Sequence, residues 1–430
     1  MREIRLIKIE KAGKRIDFHY SCSEDLQKYF TDNCFVMEYP ESIEAVPDGV
    51  LAIPFAVIGL PMSWLLDCDL YIPELDQDFY DAIPALKKAF EEMYPEATFA
   101  GKLHVERIID CTPPEGNGAA VFFSGGLDAT TTLLRHMEEK PALISIWGAD
   151  VGFDNRAGWS VVDRKIAETA ATYGLDYVPV RSMFRQFEDV VALTEELQSA
   201  LKTSWWYGIK HGMGIISHAA PYAWLHGIKT VYIASSNCVS DGKQRCASDP
   251  TIDNHMAFCG CRTVHDGFEL NRQDKTRFII DFRKQHPEMP IRLRVCWKAI
   301  DGNNCCECEK CYRTMTGFWI EGEDPKEYGF QYKKDVLNRM YQYIALRADE
   351  LPALTWSNMK KRLNENWTIL KGKRYRAKLA WIRDYDFKQL NNNKCRRAYQ
   401  KSWIIKKRIV KLFPRLYSRY IKARGYSFDE

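Results

Sequence analysis

Two rhythms of apolar and polar positions divide this chain. Near the start they alternate: IRLIKIE and KRIDFHY put every second side chain on one face, with AGK between them, which predicts a β-hairpin. LAIPFAVIGLPMSWLLD, residues 51–67, is mostly apolar but carries prolines, and predicts a buried segment followed by a broken helix. DQDFYDAIPALKKAFEEMYP repeats its apolar positions at helical spacing and stops at Pro95. CTPPEGNG, residues 111–118, is dense in turn formers and marks the expected end of an N-terminal α/β domain, residues 1–112.

From residue 119 strands and helices take turns. AAVFFS, ALISIW, LDYVPVR and KTVYIASSN read as strands rich in Val, Ile and aromatics. DATTTLLRHMEE, WSVVDRKIAETAATYG and GIISHAAPYAWLHG read as the helices between them. That alternation predicts an α/β fold with a doubly wound parallel sheet over residues 113–325, whose ligands bind at the carboxyl ends of the strands. Residues 326–430 read as a basic helical region. There is no internal repeat and no low-complexity tract.

One junction of strand and helix stands out chemically. VFFSGGLDATTTLLRHMEE, residues 121–139, runs from a strand through Ser124, Gly125, Gly126, Leu127 and Asp128 into a helix. Glycines there bring main-chain amides close to a ligand, and the helix adds its free amides and positive dipole end, so the turn suits phosphate oxygens. Ser124, Thr130 and Thr131 are candidate hydroxyl donors. The turn is not a Walker loop, since no lysine follows, and it lacks the third glycine of the dinucleotide fingerprint. Asp128 beside phosphates implies Mg²⁺ if phosphate binds. The bland alternative is a tight turn capped by an aspartate.

Composition alters the picture in three places. With 46% apolar residues in 430, a packed core is within reach. The first residues lack the apolar core of a signal peptide, and no apolar run approaches about 20 residues, so the expected location is the cytoplasm. Five of the fourteen cysteines crowd between Cys296 and Cys311, which points to metal ligation rather than cross-linking. Cys296, Cys305, Cys308 and Cys311 suit tetrahedral zinc in a structural site, with Cys306 as a spare; an iron–sulfur cluster or a redox pair are the alternatives.

Charge is lopsided. Residues 331–430 hold 26 Lys and Arg against 8 Asp and Glu, and the whole chain is only +4, so residues 1–330 carry −14. KSWIIKKRIVKLFPRLYSRYIKARGY, residues 401–426, interleaves these charges with large apolar side chains. RNA or an anionic membrane surface is one class of partner, with peripheral membrane attachment as the corresponding location. The favoured alternative packs its apolar stripe on the acidic body. A homo-oligomer is also an expected assembly. The nine histidines form no H-x-x-x-H or H-E-x-x-H pair, and His211, His218, His255 and His265 read as packing or surface residues. Cys259 and Cys261 fit either reactive thiols or buried ones. Trp205, Trp206 and Tyr207 fit a base pocket less well than a core.

The run Ser124-Gly125-Gly126-Leu127-Asp128-Ala129-Thr130 resembles the SGGxDS signature of the PP-loop ATP pyrophosphatases, with Ala129 in place of the usual serine. That resemblance implies cleavage of ATP between its α and β phosphates and transfer of AMP to an acceptor. Together with C-x₈-C-x₂-C-x₂-C it is similar to the 7-cyano-7-deazaguanine synthase family, an ATP-dependent C–N ligase family of deazaguanine (queuosine-type) biosynthesis. IASSN at 233–237, SDPTIDNHMAF at 248–258 and RQDKTRFI at 272–279 follow in that family's order. The resemblance covers roughly residues 119–320 and implies ATP over Ser124–Thr131, with Mg²⁺ near Asp128. It implies adenine near Trp147, a small-molecule acceptor near Asn237 and Asp249, Lys275 on the leaving pyrophosphate, and ammonia or an amine as donor. GADVGFDNRAGW, residues 148–159, departs from the family's loop. Thiolation of tRNA or a nucleotide is one alternative. A catalytically weak nucleotide-binding protein with a regulatory or assembly role is another.

Overall fold

Eleven strands hydrogen-bond into one sheet in the computed structural model, which describes residues 2–387 apart from 114, 297, 299–300, 348–350 and 386. They are β1 (Glu3–Ala12), β2 (Arg15–Cys22), β3 (Cys34–Glu38), β4 (Asp69–Asp76), β5 (Leu103–Ile109), β6 (Gly118–Phe122), β7 (Ala142–Trp147), β8 (Tyr177–Ser182), β9 (Ile228–Ala234), β10 (Ala257–Phe258) and β11 (Cys261–Asp266). The order across the sheet is β10-β11-β9-β6-β7-β8-β3-β2-β1-β4-β5. The five strands β11, β9, β6, β7 and β8 run parallel. Numbered from β6, their order is 5-4-1-2-3, the Rossmann-like arrangement. Its direction of winding reverses beside β6, and a crevice opens there.

Alternation along these strands explains why both faces are covered. Ala120 and Phe122 of β6 enter one core, while Ala119, Val121 and Phe123 enter another. The first core holds the helices Ile53–Leu66 and Val190–Leu201 and the helical run 206–226. The second is closed by the helices Leu127–Arg135 and Arg156–Tyr173. Period-two strands with an apolar residue at nearly every position are what a sheet buried on both sides requires.

Residues 1–112 extend this sheet. β3 pairs antiparallel with β8 at Met37–Ser182 and Glu38–Arg181, and Arg181 Nη1 donates to Glu38 Oε1 at 3.0 Å. The segment with prolines forms one helix, Ile53–Leu66, that keeps Pro61 inside it and buries all but one of its side chains. An apolar helix without a polar face has to sit in a core, and tertiary burial carries it over its proline. The expected strands lie within a few residues of β1, β2, β6, β7, β8 and β9. The expected helix 214–227 is helical from His211 to His226, with a 3-10 turn at Ser217–Ala219 inside it, and a π turn, Trp206–Lys210, leads into it.

A third core builds the C-terminal part. Helices Arg272–Gln285, Glu309–Ile320, Val336–Leu346, Ala353–Glu365 and Arg376–Asp384 pack Ile279, Met315, Met340, Trp356, Leu363 and Leu379 together with Leu127 and Leu134. Glu321 ties three of them: Arg362 donates to both its oxygens at 2.8 Å, and Gln273 and Asn366 donate at 2.8 and 3.0 Å. The basic segment 401–426 lies outside the described residues.

Candidate functional site

The crevice beside β6 is open. A cleft with about 990 Å³ of space, counted out to its mouth, is lined by Ser124, Gly126, Asp128 and Ala129 from the turn after β6, with Ile144, Asp150 and Trp159 facing them. Gly125 has φ +75°, and no atom lies closer than 3.5 Å to where its Cβ would be, so glycine is needed there for its backbone. The Gly125 amide has no partner among the described residues, and the first amides of Leu127–Arg135 lack intrahelical acceptors. Across the mouth, Gly148 has φ +116° and its Cβ would fall 1.8 Å from the Ser182 carbonyl oxygen; only glycine lets the loop carrying Asp150 turn there.

A second cleft of about 1570 Å³ adjoins the first and shares Asp128, Asp150, His211, Ser236 and Lys310 with it. Its walls bring Arg185, Arg272, Lys275, Lys310 and Arg313 toward Trp206, Tyr207 and Asn237, and Pro352, Thr355 and Asn358 of the C-terminal helices complete it. The π turn at Trp206–Lys210 sets Trp206, Tyr207 and His211 along this wall; π turns often sit at functional sites.

Asp128 is the junction. Arg272 Nη1 stands 3.2 Å from its Oδ2, and Lys275 Nζ 3.4 Å from its Oδ1. Burial pushes the Asp128 carboxyl up, yet Lys275, Arg272, Lys310 and Arg313 more than offset it, so its pKa falls below the ordinary carboxylate value. Asp150, exposed at the mouth, is also held below the ordinary value: desolvation there is outweighed by Arg294, Lys310 and Arg185. His211 is driven down to about 4, chiefly by burial, and is neutral near pH 7. Several buried side-chain nitrogens of residues that line the clefts have no hydrogen-bond partner among the described residues: Arg294 Nε and Nη2, Arg272 Nε, Arg313 Nε and His211 Nδ1. Unpaired arginine nitrogens beside a cleft whose cations outnumber its carboxylates can receive an anion.

The cysteines form the other cluster. One sulfur each from Cys296, Cys305, Cys308 and Cys311 lies within 4.8 Å of the rest, with Cys296–Cys308 and Cys305–Cys311 both at 3.9 Å. A tetrahedral zinc thiolate sets its sulfurs about 3.8 Å apart, so the four can hold a metal such as zinc. No disulfide occurs among the described residues. Cys306 points elsewhere, its thiol against the Asn304 carbonyl at 3.6 Å.

The sequence-derived candidates divide. Ser124, Gly126 and Asp128 line the first cleft, Asn237 and Lys275 the second. Leu127 turns its side chain into the C-terminal core, leaving only its amide to the turn. Thr130 and Thr131 are buried in the helix, and Thr131 Oγ1 donates to the Leu127 carbonyl at 3.0 Å, so neither hydroxyl lines the cleft. Trp147 sits behind Trp159, rings 5.7 Å apart and nearly parallel, and it is Trp159 that lines the cleft. Asp249 caps the short helix Pro250–Asp253 by accepting from Thr251 N at 2.9 Å and lines neither cleft. Cys259 and Cys261 are buried; the Cys259 thiol is pushed well up by burial and Cys261 up to about 12.

Residues that the sequence did not single out complete the site: Asp150, Arg185, Arg272, Arg294, Lys310 and Arg313, together with His211, read there as packing. Two carried a positional signal, since Lys310 lies inside C-E-K-C and Arg294 two residues before Cys296. Comparison of the sequence with protein-family models and with curated proteins finds no match.

Proposed function

We propose that this protein is an ATP-dependent, AMP-forming ligase of the PP-loop ATP pyrophosphatase type, akin to 7-cyano-7-deazaguanine synthases. The observation that carries the reading is the pair of clefts meeting at Asp128, one floored by the glycine turn and the other rich in cations. ATP takes the first, its phosphates over the amides of Gly125–Asp128 and its base toward Ile144 and Trp159. The second takes a small acceptor, most simply a carboxylate. An acceptor oxygen attacks the α-phosphorus, the bond to the β-phosphate oxygen breaks, and pyrophosphate leaves with that electron pair. Ammonia or an amine then attacks the activated carbonyl carbon and AMP departs.

Such chemistry needs alignment and charge neutralisation more than an acid–base dyad. Lys275, fixed by donating to the Ser235 carbonyl at 2.6 Å, and Arg272 stand where charge grows on the leaving pyrophosphate. Neutral His211 accepts a hydrogen bond from the incoming ammonia or amine and orients it. Asp128 and Asp150 are the carboxylates open to a Mg²⁺ ion carried in with ATP, and such an ion shields phosphate charge. Asp128 is already balanced by two cations, so its presence does not by itself demand the metal. Cys259 and Cys261 are buried and line neither cleft, so neither is positioned to deliver sulfur to the activated acceptor.

A second reading has one observation behind it. Ala129 lines the cleft with a methyl group where a hydroxyl donor would serve turnover, which suits a nucleotide-binding regulator. Pyrophosphate and AMP assayed with ATP, ammonia and a panel of acidic acceptors separate the two. Acceptor-dependent release supports the ligase; stoichiometric ATP binding without release across the panel supports the regulator.

A further inference from the structure

Arg294 belongs to neither a helix nor a strand, yet its amide and the main chain on either side of it are held by hydrogen bonds. Its amide donates to the Gly125 carbonyl at 2.7 Å, joining it to the glycine turn. Leu293 donates to the Tyr328 carbonyl at 2.9 Å, and its own carbonyl accepts from Asn304 Nδ2 at 2.9 Å. Val295 and Cys296 donate to Asn304 Oδ1 at 2.9 and 3.3 Å. Asn304 immediately precedes Cys305, so the same side chain that shapes the cysteine knuckle sets the height of Arg294 over the turn.

The side chain that this framework carries is 6% exposed, and Arg294 lines the first cleft. Nη1 stands 3.5 Å from Asp150 Oδ2, while Nε and Nη2, both buried, have no partner among the described residues. A guanidinium cannot shed its proton to escape that cost, so a partner for its free edge, best an anion, is stabilising. Nε and Nη2 form the fork that matches two oxygens of a phosphate or carboxylate. The helix opposite offers amides, but at Ala129 no side-chain donor.

We propose that Arg294 is a phosphate-reading residue: its free Nε–Nη2 edge grips a phosphoryl group of the nucleotide from the side opposite the glycine turn, and the cysteine knuckle holds it there. The inference rests on the ligase reading above and deepens it. It makes the knuckle part of the nucleotide site, because Arg294 and Lys310 both depend on it for position.

Calorimetric titration of ATP, AMP and adenosine into wild type, Arg294→Lys and Arg294→Met tests this. Melting curves establish that each variant is folded. Arg294→Met is expected to weaken ATP and AMP at least tenfold and adenosine less than twofold. Arg294→Lys, with a charge but no fork, is expected to fall between and to serve alone if the methionine variant does not fold. Equal ATP affinity in wild type and a folded variant overturns the role of Arg294 and leaves the ligase reading standing. Equal losses for ATP and adenosine also overturn it, since they mark a packing role. Wild type that binds none of the three overturns both.

Discussion

Lys275 Nζ lies 3.4 Å from Asp128 Oδ1 and donates to the Ser235 carbonyl at 2.6 Å, so a lysine from the helix Arg272–Gln285 bridges the ends of two neighbouring parallel strands. Replacing Asp128 by Asn removes the charge that balances Lys275 and Arg272. We expect Asp128→Asn to cost ~3 kcal/mol of stability, read by urea denaturation. Nucleotide binding should persist or tighten, because a carboxylate no longer repels phosphate. Pyrophosphate release should fall about 10²-fold or more. Lost nucleotide binding in a folded variant would contradict this arrangement.

The cysteine cluster sits in the C-terminal core with Tyr312, Met315 and Met340. Structural zinc sites contribute apparent binding free energies of about 10–16 kcal/mol at pH 7, far more than that core can lose and stay folded. One metal ion per chain is expected by elemental analysis. Cys308→Ser should lose the metal and a large part of the cooperative melting transition. Cys306→Ser, outside the cluster, should keep both.

Much of the central architecture was legible in the sequence. The run from AAVFFS to KTVYIASSN shows a two-sided parallel sheet because buried strands must be apolar on both faces. The glycine turn and cysteine spacing are local, so they too could be read. What stayed hidden is set by tertiary position. Arg272, Arg294, Lys310 and Arg313 look like surface residues until the fold brings them together around Asp128 and Asp150. Thr130 and Thr131 do not line the cleft because the helix turns them inward, which residue spacing from the glycines does not report. Union of the first 112 residues with the central sheet comes from two antiparallel residue pairs at β3–β8 and from one shared apolar core, neither of which has a sequence signature.

His136 offers a pH test remote from the clefts. Its Nε2 meets Asp266 Oδ1 at 3.1 Å and its Nδ1 meets Glu139 Oε1 at 3.0 Å. Burial lowers its pKa, but Asp266 and Glu139 outweigh burial and leave it above the ordinary 6.5. A raised folded-state pKa gives stability that is fully present below about pH 6.5 and is lost as pH rises through the folded value. Melting temperatures of wild type and His136→Gln should differ most below about pH 6.5 and converge as pH rises through the folded-state pKa. A gap that widens with rising pH would contradict the assignment.

Truncation distinguishes the two parts of the basic region. A chain ending at 330 loses Met340, Trp356 and Leu363 from a core, each worth about 2–5 kcal/mol, and is expected not to fold. A chain ending at 387 keeps them and sheds 13 Lys and Arg against 2 Asp and Glu. If the basic segment serves an RNA partner, salt-sensitive RNA binding should vanish in the 1–387 chain while its melting temperature holds. RNA binding unchanged in that chain removes the segment from the interaction.

The most direct measurement concerns the bond that is broken. Incubating the purified protein with ATP, Mg²⁺, ammonia and acidic metabolites extracted from cells, and separating the nucleotides, reads it out. The account predicts AMP and pyrophosphate in equal amounts, formed only with acceptor present and lost in Lys275→Met. Formation of ADP and phosphate instead would contradict it.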